Sequence, residues 1–165
     1  MSAPRWIMGV DPGLASCGWA MLRAKGAALE VVAHGCVVTS PDDGDDIARA
    51  VMVATELAAV MRAHKPDEVV TEAWRFYKGC DTTTAHALGL VIGAIAATAA
   101  REGAAFREGL RAQDWRVRLG LPRGASKAEA QRRVRAVLGL AKVIAPQHAS
   151  DAVAVAICHA KGTRR

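Results

Sequence analysis

Aromatic side chains are scarce in this chain: four Trp, two Phe and one Tyr among 165 residues. They supply little of the 52% hydrophobic content, so a core must be built mostly from Ala, Val and Leu. Cysteines are few as well. Cys17, Cys36, Cys80 and Cys158 include no CxxC pair, which argues against a zinc site. Reduced, mostly buried thiols are expected instead. The N-terminus lacks a basic segment followed by an apolar one, so no export signal is read and a cytoplasmic protein is expected. No apolar stretch reads as long and uncharged enough to span a bilayer, and no membrane partner is expected. Residues 88–100 come nearest, and are expected to form a buried core helix. With no repeat, linker or low-complexity tract, a single domain over 1–165 is expected.

Basic residues are sparse outside one quarter of the chain. Residues 101–142 hold 11 Lys/Arg against 4 Asp/Glu, whereas residues 1–100 hold 8 against 11. The formal charge of +6 is therefore concentrated. Such asymmetry is the electrostatic footprint of a polyanion partner, although a solvated helix face gives the same count.

Residues 6–10 read as a buried strand that ends at Asp11, and Pro12-Gly13 forces a turn. Residues 18–23 and 29–39 read as two more strands joined through Lys25-Gly26, an antiparallel meander. The acidic loop 41–46 should start a helix. There Ile47, Val51, Ala54, Leu57, Ala58 and Met61 recur at helical spacing, up to His64-Lys65-Pro66. The β-branched run 68–71 predicts a central strand with Glu72 at its exit. Beyond it come a loop at 74–81, a long Ala-rich helix at 82–101, a short strand at 104–107, helices at 112–119 and 127–140, and a last helix at 150–159. Ala152, Val155, Ala156 and His159 share one face of that helix, and Ala130, Val134, Val137 and Leu138 stripe the one before. This order implies a mixed-sheet α/β domain. Its first and fourth strands should run parallel, placing Asp11 and Glu72 in one crevice at the strand ends. His148 and Asp151, three apart, can point there together.

Each of these four residues has a plain reading alone. Asp11 is a turn residue before Pro12, Glu72 a strand-end carboxylate, Asp151 a first-turn acid and His148 an exposed helix-start residue. Together they would place three carboxylates side by side with no fixed positive partner. Such a group repels itself unless a cation neutralises it. That is the sequence pattern of a magnesium site for phosphoryl-transfer chemistry.

The motifs resemble one family. Gly9-Val10-Asp11-Pro12-Gly13-Leu14 followed by Gly18-Trp19 is similar to the opening of the RuvC crossover-junction endodeoxyribonucleases. Val70-Thr71-Glu72 resembles their second acidic strand. Residues 146–159, beginning Pro146-Gln147-His148-Ala149-Ser150-Asp151, resemble their C-terminal helix. The resemblance covers nearly the whole chain. It implies an RNase H-like mixed β-sheet flanked by α-helices, a homodimer, and the four-way Holliday junction as substrate. Asp11, Glu72 and Asp151 match three acidic metal ligands. His148 falls where many members have a fourth Asp and some have His, and is expected as a ligand or as a group that deprotonates water. Lys127, in Gly124-Ala125-Ser126-Lys127, matches a basic residue near the active-site phosphate, and Arg116 sits near a second.

The expected chemistry is paired symmetric nicking by hydrolysis with two Mg2+ per site, Mn2+ substituting. Arg116, Arg118, Arg123, Lys127, Arg132 and Arg133 are expected to hold backbone phosphates. The loop Trp74-Arg75-Phe76-Tyr77-Lys78 is richer in aromatic and basic residues than the family leads one to expect. It is read as stacking on unpaired bases at the branch point. Gly89-Leu90-Val91-Ile92-Gly93 replaces the family's Gly-Gln-Ala-Arg-Gly, and Cys17 stands where Thr is frequent. These departures suggest a divergent, phage-like member. A branch-migration helicase is a further candidate partner, and nucleoid association is expected. Three other readings share part of the pattern: a nuclease for flaps or forks, a non-catalytic binder of branched DNA, and an ATP-dependent phosphotransferase of the actin-like superfamily. The last is disfavoured by length and by the lack of a second phosphate loop.

Overall fold

The computed structural model describes residues 3–74 and 81–162. The chain runs β1 (Arg5–Asp11), β2 (Ser16–Lys25), β3 (Ala28–Val38), a 3-10 turn (Pro41–Asp43), α1 (Asp46–His64), β4 (Glu68–Thr71), α2 (Thr82–Arg101), β5 (Ala105–Glu108), α3 (Ala112–Arg118), α4 (Lys127–Leu138) and α5 (Gln147–Gly162). Every expected strand and helix is there, in order. Capping explains the boundaries. The Asp45 carboxylate accepts from the Ala48 N–H to start α1, and the Ser126/Glu129 capping box starts α4. Helix α4 stops at Leu138, the end of its apolar stripe and two residues short of the expected 140, because Gly139 takes a left-handed φ of 64° and turns the chain. Helix α5 starts earlier than expected, at Gln147.

The five strands lie in the order β3-β2-β1-β4-β5. β1, β2 and β3 form the antiparallel meander. β4 pairs parallel with β1, and β5 parallel with β4, through the α1 and α2 crossovers. Parallel pairing sets Val10 opposite Thr71, and the Glu72 N–H continues the ladder by donating to the Val10 carbonyl at 3.0 Å. Asp11 and Glu72 thus leave the sheet at the same end, as the strand order predicts.

Each face of the sheet carries a core. Met8, Val10, Met21 and Val69 pack against Val53, Leu57 and Met61 of α1 and Val91 and Ile95 of α2. On the other face Ile7, Leu22 and Val70 meet α5, with Trp115 of α3 and Val134 of α4 outside it. Trp115 is the one aromatic among the largest fully buried side chains of the described residues. Helix α5 is buried between sheet and helices along 152–158, not on one face alone. Two glycines let it in. A Cβ on Gly9 would collide with the Ala152 carbonyl, and one on Gly18 with the His148 carbonyl. Helix backbone therefore rests directly on strand backbone.

Helix α2 departs from expectation twice. By length and composition it is long and apolar enough to cross a membrane. It is also only partly buried: Ala85, Val91, Ile95, Thr98 and Ala99 face the core, while Gly89, Gly93 and Ala97 are exposed. In an Ala- and Gly-rich helix nearly every position scores as apolar, so composition does not separate the inner face from the outer.

Candidate active site

Three elements meet at the site: the ends of β1 and β4 and the first turns of α5. Asp11 Oδ2 lies 2.8 Å from His148 Nδ1, joining residues 137 positions apart. Glu72 Oε2 accepts from the Trp115 indole N–H at 2.8 Å. Asp151 Oδ2 accepts from the Gln147 side-chain amide at 3.3 Å.

Electrostatics ties the group together. Burial raises the Asp11 pKa, against the His148 hydrogen bond and the His148 and Lys127 charges. Burial and the Asp11 charge raise that of Asp151, with Gln147, Arg116 and His148 acting the other way. Glu72 is pushed up to about 7, first by burial and then by the charges of Asp11 and Asp151, although Trp115 and Arg116 oppose it. The three carboxylates are thus close enough to resist one another's ionisation, and the neighbouring cations do not compensate them.

Two Asp, one Glu and an imidazole are hard oxygen donors with one nitrogen, a set that suits Mg2+ or Mn2+. As the side chains stand, no three such groups among the described residues are placed to hold one ion. Asp11 is turned to His148, Glu72 to Trp115 and Asp151 to Gln147. The residues fit a divalent cation by donor chemistry and by unbalanced charge, and side-chain rotation would have to gather them.

The expected phosphate-binding residues divide. Lys127 is exposed at the start of α4, and its charge reaches Asp11. The Arg116 guanidinium carbon sits 5.0 Å from the Trp115 ring centroid, acts on both Glu72 and Asp151, and has a buried Nε without a partner. Arg132 is exposed on α4. Arg123 is exposed but pairs with Asp114 at 3.2 Å. Two others are used elsewhere. Arg118 donates to the Cys158 carbonyl at 3.5 Å, ten residues down α5 from His148, or roughly 15 Å at the helical rise. Arg133 donates from Nε to the Leu119 carbonyl at 2.5 Å and closes the end of α3. Their contacts are structural, which a count of basic residues does not reveal. Trp74 is half-buried beside Glu72; Arg75, Phe76, Tyr77 and Lys78 lie outside the described residues. Cys17 is buried under the site with its thiol pushed up to about 12, chiefly by burial, so it stays protonated and inert.

Trp115 and Gln147 hold the carboxylates, yet the sequence does not single out either for that role. The signal for Trp115 is its chemistry: a buried indole needs an acceptor for its N–H, and the site carboxylates are the acceptors the fold supplies.

The family described as crossover junction endodeoxyribonuclease RuvC matches residues 7–159. RuvC of Heliobacterium modesticaldum is 34% identical over 152 residues, covering 92% of this chain and 91% of its own. RuvC of Rubrobacter xylanophilus is 33% identical over 154 residues, covering 93% and 84%. Thermus thermophilus RuvC, in its complex with a Holliday junction substrate, superposes with a TM-score of 0.80 at 26% identity, covering 94% of this chain and 92% of that one. The chain therefore belongs to the RuvC family of crossover junction endodeoxyribonucleases, metal-dependent nucleases of RNase H-like fold.

Proposed function

We propose that this protein, acting as a single domain in each subunit of a homodimer, resolves four-way DNA junctions with Asp11, Glu72, His148 and Asp151 as its metal-holding and catalytic set. The observation that carries this is the convergence of these four residues, from β1, β4 and α5, onto one crevice in mutual electrostatic contact. The preferred cation is Mg2+, two per site, with Mn2+ as a substitute. When bound, such ions activate water and neutralise charge on the scissile phosphate and the departing 3′ oxygen.

The protein's own groups do the positioning. Trp115 fixes one Glu72 oxygen and Gln147 steers Asp151. His148 is 42% exposed and engages Asp11 through Nδ1, which supports a role for Nε2 toward a metal or the proton of the attacking water. Lys127 and Arg116 hold the phosphate beside the carboxylates, with Arg132 and Arg123 extending the basic surface. Residues 74–78 stack on bases opened at the branch point. Hydrolysis of one phosphodiester per subunit leaves a 5′ phosphate and a 3′ hydroxyl, and a two-fold dimer matches the two-fold junction. Such a protein works in the cytoplasm at the nucleoid, with a branch-migration helicase as a natural partner, and the departures in 74–78 and 89–93 fit a phage-like branch.

The test is cleavage of a synthetic four-way junction against fork, flap and duplex with Mg2+ or Mn2+. The junction should be cut by paired symmetric nicks, and Asp11→Asn should abolish cutting while leaving junction binding. Undiminished cutting by that variant, or equal cutting of forks and flaps, overturns the assignment. His148→Asp that stays active with Mg2+ assigns His148 to ligation, and an inactive variant assigns it to the proton.

A further inference from the structure

The molecule has a second surface, on the edge of the sheet formed by β3, that the nuclease site does not use. Among the described residues β3 has no neighbour on its outer side. At 11 residues it is the longest strand, and residues 31–38 contain no Lys, Arg, Asp, Glu or Pro. Exposed edge strands are normally blunted by charge, proline or short length, because their outward N–H and C=O groups template further pairing. Residues 31–38 carry no charge or proline, and the edge is interrupted only by Glu30 just before them and by a slip of the β2 pairing at Val32, between the Leu22–Val31 and Met21–Ala33 pairs.

Beside it runs a groove of about 370 Å³, floored by Trp19 and Val37 and walled by Met52 and Val60 of α1. Its rim mixes apolar side chains with the exposed carboxylate of Glu56. Val38 is 71% exposed, and Ile47, Val51 and Met52 continue the patch along α1. Charge around this end is of one sign: Asp42, Asp43 and Glu56 are exposed, and Arg49, the basic residue of the region, is buried against Thr39 and Asp46. A phosphate backbone is repelled here, in contrast to the basic segment 101–142.

We propose that the β3 edge and the groove between β3 and α1 dock an extended segment of a partner protein, apolar at alternating positions and basic at the end that meets Asp42, Asp43 and Glu56. The segment adds a strand to β3 through main-chain hydrogen bonds, and its α1-facing side chains enter the groove. This interaction is separate from junction cleavage and does not depend on the assignment of the nuclease site.

The test uses the full chain and a labelled nine-residue peptide alternating valine and threonine, with a lysine pair at one end. Fluorescence anisotropy should show saturable binding that weakens with salt, and hydrogen exchange should slow at the amides of 31–38 when the peptide is present. A peptide carrying proline at its centre should not bind. The double variant Val38→Lys with Met52→Lys should lose at least roughly tenfold in affinity, whereas Val143→Lys, an exposed apolar residue elsewhere, should bind as the parent does. Cooperative thermal melting at the parent's Tm shows that the variants are folded. Absence of saturable binding, equal binding of the proline peptide, or full binding by the double variant overturns the proposal. So does concentration-dependent protection of 31–38 without peptide, which gives the edge to a second copy of this chain, or displacement of the peptide by duplex DNA.

Discussion

Removing divalent cations should make the protein's stability fall as pH rises, the reverse of ordinary acid denaturation. Glu72 is the reason. In the folded chain its pKa rises from 4.5 to about 7, first through burial and then through Asp11 and Asp151. Between those values the folded state binds a proton that the unfolded state has released, so deprotonation is worked against the fold and stability declines with pH. At 1.36 kcal/mol per pH unit the full decline through Glu72 is about 3 kcal/mol. For a domain of this size that is a fall in Tm of about 6–12 °C. Asp11 and Asp151, also raised, add in the same direction. The assay is thermal melting from about pH 5 to about pH 8, with chelator and with saturating Mg2+. The chelated protein should melt progressively lower up to about pH 7, then level off. Saturating Mg2+ should suppress that decline, because an ion held only by the folded chain stabilises it and neutralises the carboxylates. Glu72→Gln should remove its share of the metal-free slope. A chelated Tm that is flat or rising over this range, or a slope unchanged in Glu72→Gln, refutes the mutual repulsion on which the metal assignment rests.

Gly18→Ala should press a methyl against the His148 carbonyl, costing about 1–3 kcal/mol of stability and slowing junction cutting roughly a hundredfold by displacing the start of α5; melting and single-turnover cleavage check it. Gly89→Ala, where a Cβ meets nothing within 4 Å, should instead stabilise by about 0.5–1 kcal/mol through helix propensity. Lys127→Ala should lower the slope of log affinity for junction DNA against log salt by about one, whereas Arg133→Ala should leave that slope alone and lower Tm by orphaning the Leu119 carbonyl. Burial opposes ionisation of Glu68, but hydrogen bonds and charge from Arg5 and His159 outweigh it and hold its pKa below 4.5. The stability Glu68 contributes is present above 4.5 and lost as pH falls through its lowered value, so Glu68→Gln should flatten the acid limb of the melting curve without touching the limb set by Glu72.

What the sequence made legible follows a pattern. Period and punctuation located the strands and helices, because Asp45, Ser126 and Lys65-Pro66 act locally on the backbone, whereas the stop that Gly139 imposes on α4 was read past. Parallel pairing of the first and fourth strands followed from the helix between them, and it alone brings Asp11 beside Glu72. The exposed face of α2 was illegible because Ala and Gly read the same on either side of a helix. Arg118 and Arg133 were illegible as structural groups because their partners are backbone carbonyls, Cys158 and Leu119, which every residue owns and no sequence marks.

The deepest miss is also the most instructive. Asp151 and His148 meet Asp11 only because α5 lies directly on β1 and β2, and that approach is permitted by the absence of side chains at Gly9 and Gly18. Both glycines sit in the motif that carries the family resemblance, flanking Asp11 in sequence, and both read there only as residues of the first and second strands. Their physical role is to remove the thickness of a methyl group between helix and sheet. A carboxylate at the end of a strand and another in the second turn of a helix interact strongly only within a few ångströms. The clearance those glycines provide is therefore as much a part of the site as the acids themselves, and the charge interaction that adds to burial in raising Glu72 and Asp151 depends on it.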